Sequence, residues 1–263
     1  MGENDYNKRT LRGLPVSEIV RKTRQPRGGY INPSMMETIS LGEGMEKLIP
    51  EEKVPPFLLG LAVDYMTRFM MGNTREDAFA ISLLGAEKVC EESEAKVMLH
   101  NVCGLDYNSV VNAIRLCGYD VCYRVGIIRY TPVEDLILDD ASVNNVITMV
   151  KRAIAFWNQF GPVIKSGVTF EGGYTDTVCN GDADYLTSDT LWDFKVSKNE
   201  VNKDYTLQLL MYWRMGIHSI HREFDDIRFL GIYNPRLNKV SRISTSDIPD
   251  EVIHIIDSNI IGY

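Results

Sequence analysis

Across 263 residues, 36 acidic side chains outweigh 28 basic ones and leave a net charge of −8, so passive binding to a polyanion is disfavoured and contact with nucleic acid needs a local basic patch or bound cations. A hydrophobic fraction of 44% excludes disorder and suits one sizeable globule, and no stretch approaches the ~18 apolar residues of a membrane span. Five cysteines without framework spacing, and a polar N-terminus without the apolar core of a signal peptide, lead us to expect reduced thiols in a cytoplasmic protein with no membrane partner.

Residues 1–53 read as a basic lead with a short helix at 16–23 and a second helix capped at Pro33-Ser34. Lys8, Arg9, Arg12, Arg21, Lys22, Arg24 and Arg27 gather there, as a solvated face or as a phosphate-contacting patch. Pro55-Pro56 starts a helix to about residue 71 that is apolar almost all round. At about 100° per residue its exceptions, Gly60, Asp64, Thr67 and Arg68, fall into one narrow stripe. A buried carboxylate costs several kcal/mol unless it is paired or binds a metal, so Asp64 needs a metal, an ion pair with Arg68 four residues on, or another hydrogen bond.

Further helices are expected at 74–89, from Asp106 or Asn108 to 116, and at 142–160, the last ended by Gly161-Pro162. Strands follow at 167–175, 183–186 and 191–196, then a helix at 200–217, strands at 224–233 and 239–243, and a closing helix from Ile248. Helices first, then strands around one helix, make an α+β fold with a small mixed sheet.

The chemistry concentrates in the expected hairpin. Thr187-Ser188-Asp189-Thr190 is a turn-forming loop, and pairing Leu186 with Leu191 across it sets Asp184 opposite Asp193 and Asp182 opposite Lys195, all on one face. Like charges directly across a ladder are destabilising. Mg²⁺ or Mn²⁺, which prefer oxygen ligands, would compensate them, with Lys195 beside the ion to orient or activate a water. Gln208 and Tyr212 share a helix face that Tyr205 and Met215 extend. His100, Cys103, Cys117 and Cys122 lack a zinc-finger spacing, and the three cysteines read as buried free thiols. No phosphate-loop motif is present, so no nucleotide cofactor is expected. A carboxylate-pair glycosidase would require one protonated acid, which facing carboxylates beside a lysine do not favour.

Three pieces in order, Gly181-Asp182-Ala183-Asp184, Asp193-Phe194-Lys195 and Gln208-Leu209-Leu210-Met211-Tyr212, resemble the Gly-x-x-Asp, Asp-x-Lys and Gln-x-x-x-Tyr motifs of the PD-(D/E)XK nuclease superfamily, RecB-like exonuclease branch. Gly60-Leu61-Ala62-Val63-Asp64 resembles the helix that carries a metal-binding His in that branch, with Asp64 in its place. The resemblance implies an α/β/α restriction-endonuclease-like core, its small mixed sheet flanked by helices, with a large N-terminal helical region. It places a nuclease domain at 54–263 with a helical insertion at about 74–160. It further implies a Mg²⁺- or Mn²⁺-dependent deoxyribonuclease, exonuclease-like, acting on DNA at a strand end. Metal would be held by Asp184, Asp193, the Phe194 backbone carbonyl and Asp64. Lys195 and Gln208 would serve the attacking water, and Tyr212, Lys198, Lys203 or Arg214 the substrate. Glu171 and Asp182 stand where an acid can join the metals. The iron–sulfur cluster of some relatives is not expected, because no cysteine follows Cys179. The alternative is a nuclease-fold protein without activity that binds nucleic acid, or a protein partner through its acidic surface.

Overall fold

The computed structural model describes residues 12–42 and 46–263; Lys8 and Arg9 lie outside them. In chain order it contains β1 (Leu14–Pro15), α1 (Val16–Lys22), β2 (Glu37–Ser40), α2 (Pro56–Met70), α3 (Arg75–Ala78), α4 (Ala80–Lys88), α5 (Glu92–His100), α6 (Tyr107–Cys117), α7 (Asp120–Arg124) and α8 (Asp140–Phe160). Then follow β3 (Lys165–Val168), β4 (Val178–Asn180), β5 (Ala183–Leu186), β6 (Thr190–Phe194), α9 (Lys203–Ile217), β7 (Phe229–Asn234), β8 (Lys239–Ser244) and α10 (Asp250–Ile255), which runs on as a π-helical turn over Ile256–Ile261. Among the described residues no helix is long and apolar enough to cross a membrane.

The fold is α+β, built on a six-stranded mixed sheet of order β2-β8-β7-β6-β5-β3 beside a two-stranded parallel sheet of β1 and β4. Within the larger sheet β6 and β7 run parallel and the other neighbours antiparallel. A parallel pair needs a crossover, and α9 supplies it. Every residue of β6 is buried, which its central position and the helices on both faces require. Trp192, Tyr185, Phe194 and Tyr233 face the core shared with α2, α6 and α8, whereas Leu186, Leu191, Leu230 and Ile243 face that shared with α1, α9 and the C-terminal turn.

Side-chain caps start four of the helices by accepting amide bonds that their first turns leave unmade. Thr74, Asp106, Asp139 and Asn202 accept from Asp77, Ser109, Ser142 and Tyr205 respectively. These caps bear out the expected starts near 74, 106 and 142, and move that of α9 from 200 to 203. Elsewhere the structure corrects the reading. The helix expected over 74–89 is split at the fully buried Phe79, α5 had not been anticipated, and the second helix of the lead is a single 3₁₀ turn, Pro33–Met35. The lead also adds the edge strand β2. The strand expected over 167–175 ends at Val168, because Gly172 takes φ +85° in a turn closed by the Gly173 amide on the Phe170 carbonyl. The strand expected from 224 begins only at Phe229, after a 3₁₀ turn over Arg222–Asp226. Cys117 and Cys122 are buried thiols as expected, but Cys103 is exposed.

An aromatic stack fixes α8 to the sheet. Phe156 lies parallel to Tyr233 with centroids 3.9 Å apart and meets Trp192 edge-on at 5.0 Å. Trp192 lies directly opposite Gly231 on β7, and a Cβ there would stand 2.3 Å from the indole. Gly231 is therefore a packing requirement. Gly231→Ala should lower stability by ~2 kcal/mol or more, since an overpacked core must displace a side chain that has nowhere to go. An unchanged urea midpoint would contradict this close approach.

Candidate active site

The β5–β6 hairpin pairs Leu186 with Leu191 and Tyr185 with Trp192, closed by the Thr187 amide on the Thr190 carbonyl. This is the expected register. One step further the strands part, and the Asp184 carboxylate accepts the Phe194 amide at 2.7 Å in place of a ladder bond. Asp193, 1% exposed, accepts from Lys195 Nζ at 2.8 Å through Oδ1, while its Oδ2 is buried with no hydrogen-bond partner. Lys195 bonds Asp193 rather than facing Asp182, and its ammonium stands 5.5 Å from the Tyr205 ring centroid.

Two carboxylates so placed resist ionising together. Desolvation, reinforced by the charge of Asp193, pushes Asp184 up to about 7. Desolvation also raises Asp193, against the pull of Lys195. Lys195 is raised in turn, because the attraction of Asp193 and Asp184 outweighs the desolvation that lowers it.

Asp184 opens into a cleft of about 890 Å³, whose lining includes Asp182, Tyr212 and Phe194 from the sheet side and Asp64 and Arg68 from α2. Asp64 is held by two bonds from Arg68, at 2.8 and 3.1 Å, and accepts the Tyr185 hydroxyl as well. The expected stripe of α2 thus reaches the cleft at Gly60, Asp64 and Arg68, but Thr67 is fully buried with its hydroxyl on the Val63 carbonyl. Gln208 reaches the cleft only indirectly, donating to the Tyr212 hydroxyl at 2.7 Å.

Other expected residues lie elsewhere. Lys198 is 70% exposed and points at Glu52, in a separate groove beside Arg236. Arg214 is held by Asp257 through two bonds of 2.9 and 2.8 Å, and neither Arg214 nor Lys203 lines the cleft. Glu171 sits in the turn after β3, bonded to Thr169 and His221 and outside the cleft lining; the Thr169 hydroxyl, then His221, draws it down to about 2. In the basic lead Arg21 and Lys22 both pair with Glu18.

The cleft lining also includes residues that the sequence analysis does not single out, among them Phe57, Tyr123 and Arg124. Phe57 precedes Asp64 by two helical turns, so helical periodicity carried its signal. Tyr123 and Arg124 belong to a five-residue helix too short for any period to show.

Among the described residues no three His, Cys, Asp or Glu side chains converge as a metal-holding group. The donor set is nevertheless suited to a hard cation, since Mg²⁺ is commonly held by only one or two carboxylates and keeps its waters. The unpartnered Oδ2 of Asp193 is the atom such an ion would satisfy.

Comparison with protein-family models, curated proteins and solved structures finds no match for this chain.

Two expectations follow from these charges. An acid raised in the folded state keeps its proton while the unfolded chain, near pH 4, has already released its own, so folding loses stability as pH climbs from about 4 to about 7. In chelated buffer the melting temperature should fall across that interval more steeply than in Asp184→Asn, which keeps the Phe194 hydrogen bond; parallel profiles would refute the strained pair. Asp64→Asn should cost about 1–3 kcal/mol in urea unfolding by leaving Arg68 half-paired, less than for a fully buried pair because 16% and 17% of the two side chains remain exposed. An unchanged midpoint would mean that the pair contributes nothing to stability.

Proposed function

We propose that the chain is a divalent-cation-dependent deoxyribonuclease that hydrolyses phosphodiester bonds at the Asp184–Asp193–Lys195 centre, in the manner of the RecB-like PD-(D/E)XK nucleases whose motifs it resembles. One observation carries the reading. Asp193 is buried on the central strand with Lys195 on one oxygen and nothing on the other, next to a second carboxylate that opens to a cleft. A bare oxygen on a buried carboxylate is costly, and a bound cation would satisfy it.

Asp184, Asp193 and the Phe194 carbonyl would hold Mg²⁺ or Mn²⁺. When bound, such an ion supplies Lewis acidity and lowers the pKa of a coordinated water. The rest falls to the chain's own side chains. Lys195, fixed by Asp193 and lying over the Tyr205 ring, orients the attacking water and offsets charge that builds on the phosphate. Tyr212, held by the Gln208 amide, lines the cleft and positions a substrate oxygen. Asp64 would help hold the ion only by giving up its Arg68 contact, which would leave a guanidinium for phosphate. Exonuclease-like attack on a DNA strand end belongs to the same proposal.

A second reading, a nuclease-fold protein that binds nucleic acid or a protein without cutting, draws support from Asp64. Its commitment to Arg68 and Tyr185 leaves two carboxylates rather than three for an ion.

Labelled linear, circular, single-stranded and duplex DNA, incubated with rising Mg²⁺, separates the two. Cleavage that requires the ion, and that Lys195→Ala reduces by about 100-fold or more in a variant whose circular dichroism shows it folded at the assay temperature, supports the nuclease. Binding without cleavage at any Mg²⁺ or Mn²⁺ concentration supports the second reading and removes the first.

A further inference from the structure

The cleft that holds the carboxylates has a second wall, made by the helical region. Phe57, on the first turn of α2, is 58% exposed, and Tyr123, on α7, is 47% exposed; both line the cleft. Neither belongs to either apolar cluster of the fold. Large rings standing free inside a concave site are not explained by packing, whereas planar ligands explain them. Arg124 lines the same wall, 46% exposed, with Nε on Asp120 Oδ2 at 3.3 Å and Nη2 on the Tyr65 hydroxyl at 3.2 Å. Asp120 is itself 1% exposed and further bonded by Ser82 and Tyr65, so this guanidinium is anchored from the interior.

Size completes the argument. About 890 Å³ lies within the ~300–1,000 Å³ that encloses a small ligand; it admits a few splayed nucleotides and leaves a duplex at the rim. Base-paired DNA shows a protein its groove edges and hides its ring faces, but an unpaired strand offers each base as a plate for stacking.

Resting on the proposed nuclease reading, we infer that this wall selects unpaired DNA, with Phe57 and Tyr123 stacking on bases and Arg124 holding a backbone phosphate while the strand crosses the carboxylate centre. The stacking is indifferent to base identity, because every base has a π-face. The phosphate contact is electrostatic, so added salt weakens binding.

Fluorescence anisotropy with labelled oligo(dT) and a blunt duplex of equal length, on the full chain in EDTA and again in Ca²⁺, tests this without relying on turnover. Preference for oligo(dT) by tenfold or more is expected, and Phe57→Ala and Tyr123→Ala should each raise its Kd about tenfold with the melting temperature unchanged. Phe57→Trp should keep the affinity and show indole quenching when the strand binds, against the buried Trp157, Trp192 and Trp213. Equal affinity for duplex, no detectable binding of oligo(dT), or alanine variants that bind as the parent does, each overturns the inference. If the strand stacks and Mg²⁺ yields no cleavage, the nuclease reading fails and this one stands. If cleavage proceeds with both alanine variants silent, the reverse holds.

Discussion

A carboxylate on the middle strand of a sheet covered on both faces must find its counter-charge within reach of the backbone that carries it, and Asp193 meets that demand only in part. Lys195, two residues along, takes one oxygen and leaves the other bare. The strain is shared with Asp184, whose side chain takes the Phe194 amide where the β5–β6 ladder gives out. Repulsion and desolvation are thereby built into the open end of the hairpin, and the cleft begins where the two strands separate. Much of the surrounding architecture positions this point: β7 and α8 hold β6 through Gly231 and the Phe156 stack, and α9 closes the other face with Tyr212.

Asp64 shows how a second charge is kept close to this centre at tolerable cost. Arg68 saturates it from the same helix, and the Tyr185 hydroxyl ties it to β5, on the strand that also carries Asp184. Tyr185 is buried, and desolvation together with Asp64 raises it well above its ordinary range, so it stays a donor. α2 is therefore coupled to the hairpin by a hydrogen bond as well as by packing, and a change in the charge at one is felt at the other.

The hairpin register was legible because two leucines flank a turn of Thr, Ser and Asp, and period-two alternation then fixes which acids share a face. The α2 stripe was legible from its few polar breaks, and Arg68 as a partner for Asp64 from simple i,i+4 spacing. What stayed hidden depended on distance along the chain or on brevity. The Tyr185 contact to Asp64 spans 121 residues, and no local rule predicts it. β2 is four exposed residues without alternation, which nothing but its pairing with β8 identifies as a strand. Lys198 and Arg214 were attractive as cations near the motif, yet Glu52 and Asp257 claim them from remote segments.

The distribution of cleft residues along the chain also matters for how such a protein can change. Asp184, Asp193, Lys195 and the Gln208–Tyr212 pair all fall within residues 184–212, one hairpin and its crossover helix, whereas Phe57, Asp64, Arg68, Tyr123 and Arg124, which line the cleft, come from helices far upstream. The buried carboxylate pair and the upstream cleft wall are thus carried by separate stretches of the chain. Drift in the helical region can reshape the mouth of the cleft while the hairpin that carries Asp184 and Asp193 stays intact, and divergence would be expected to accumulate there first.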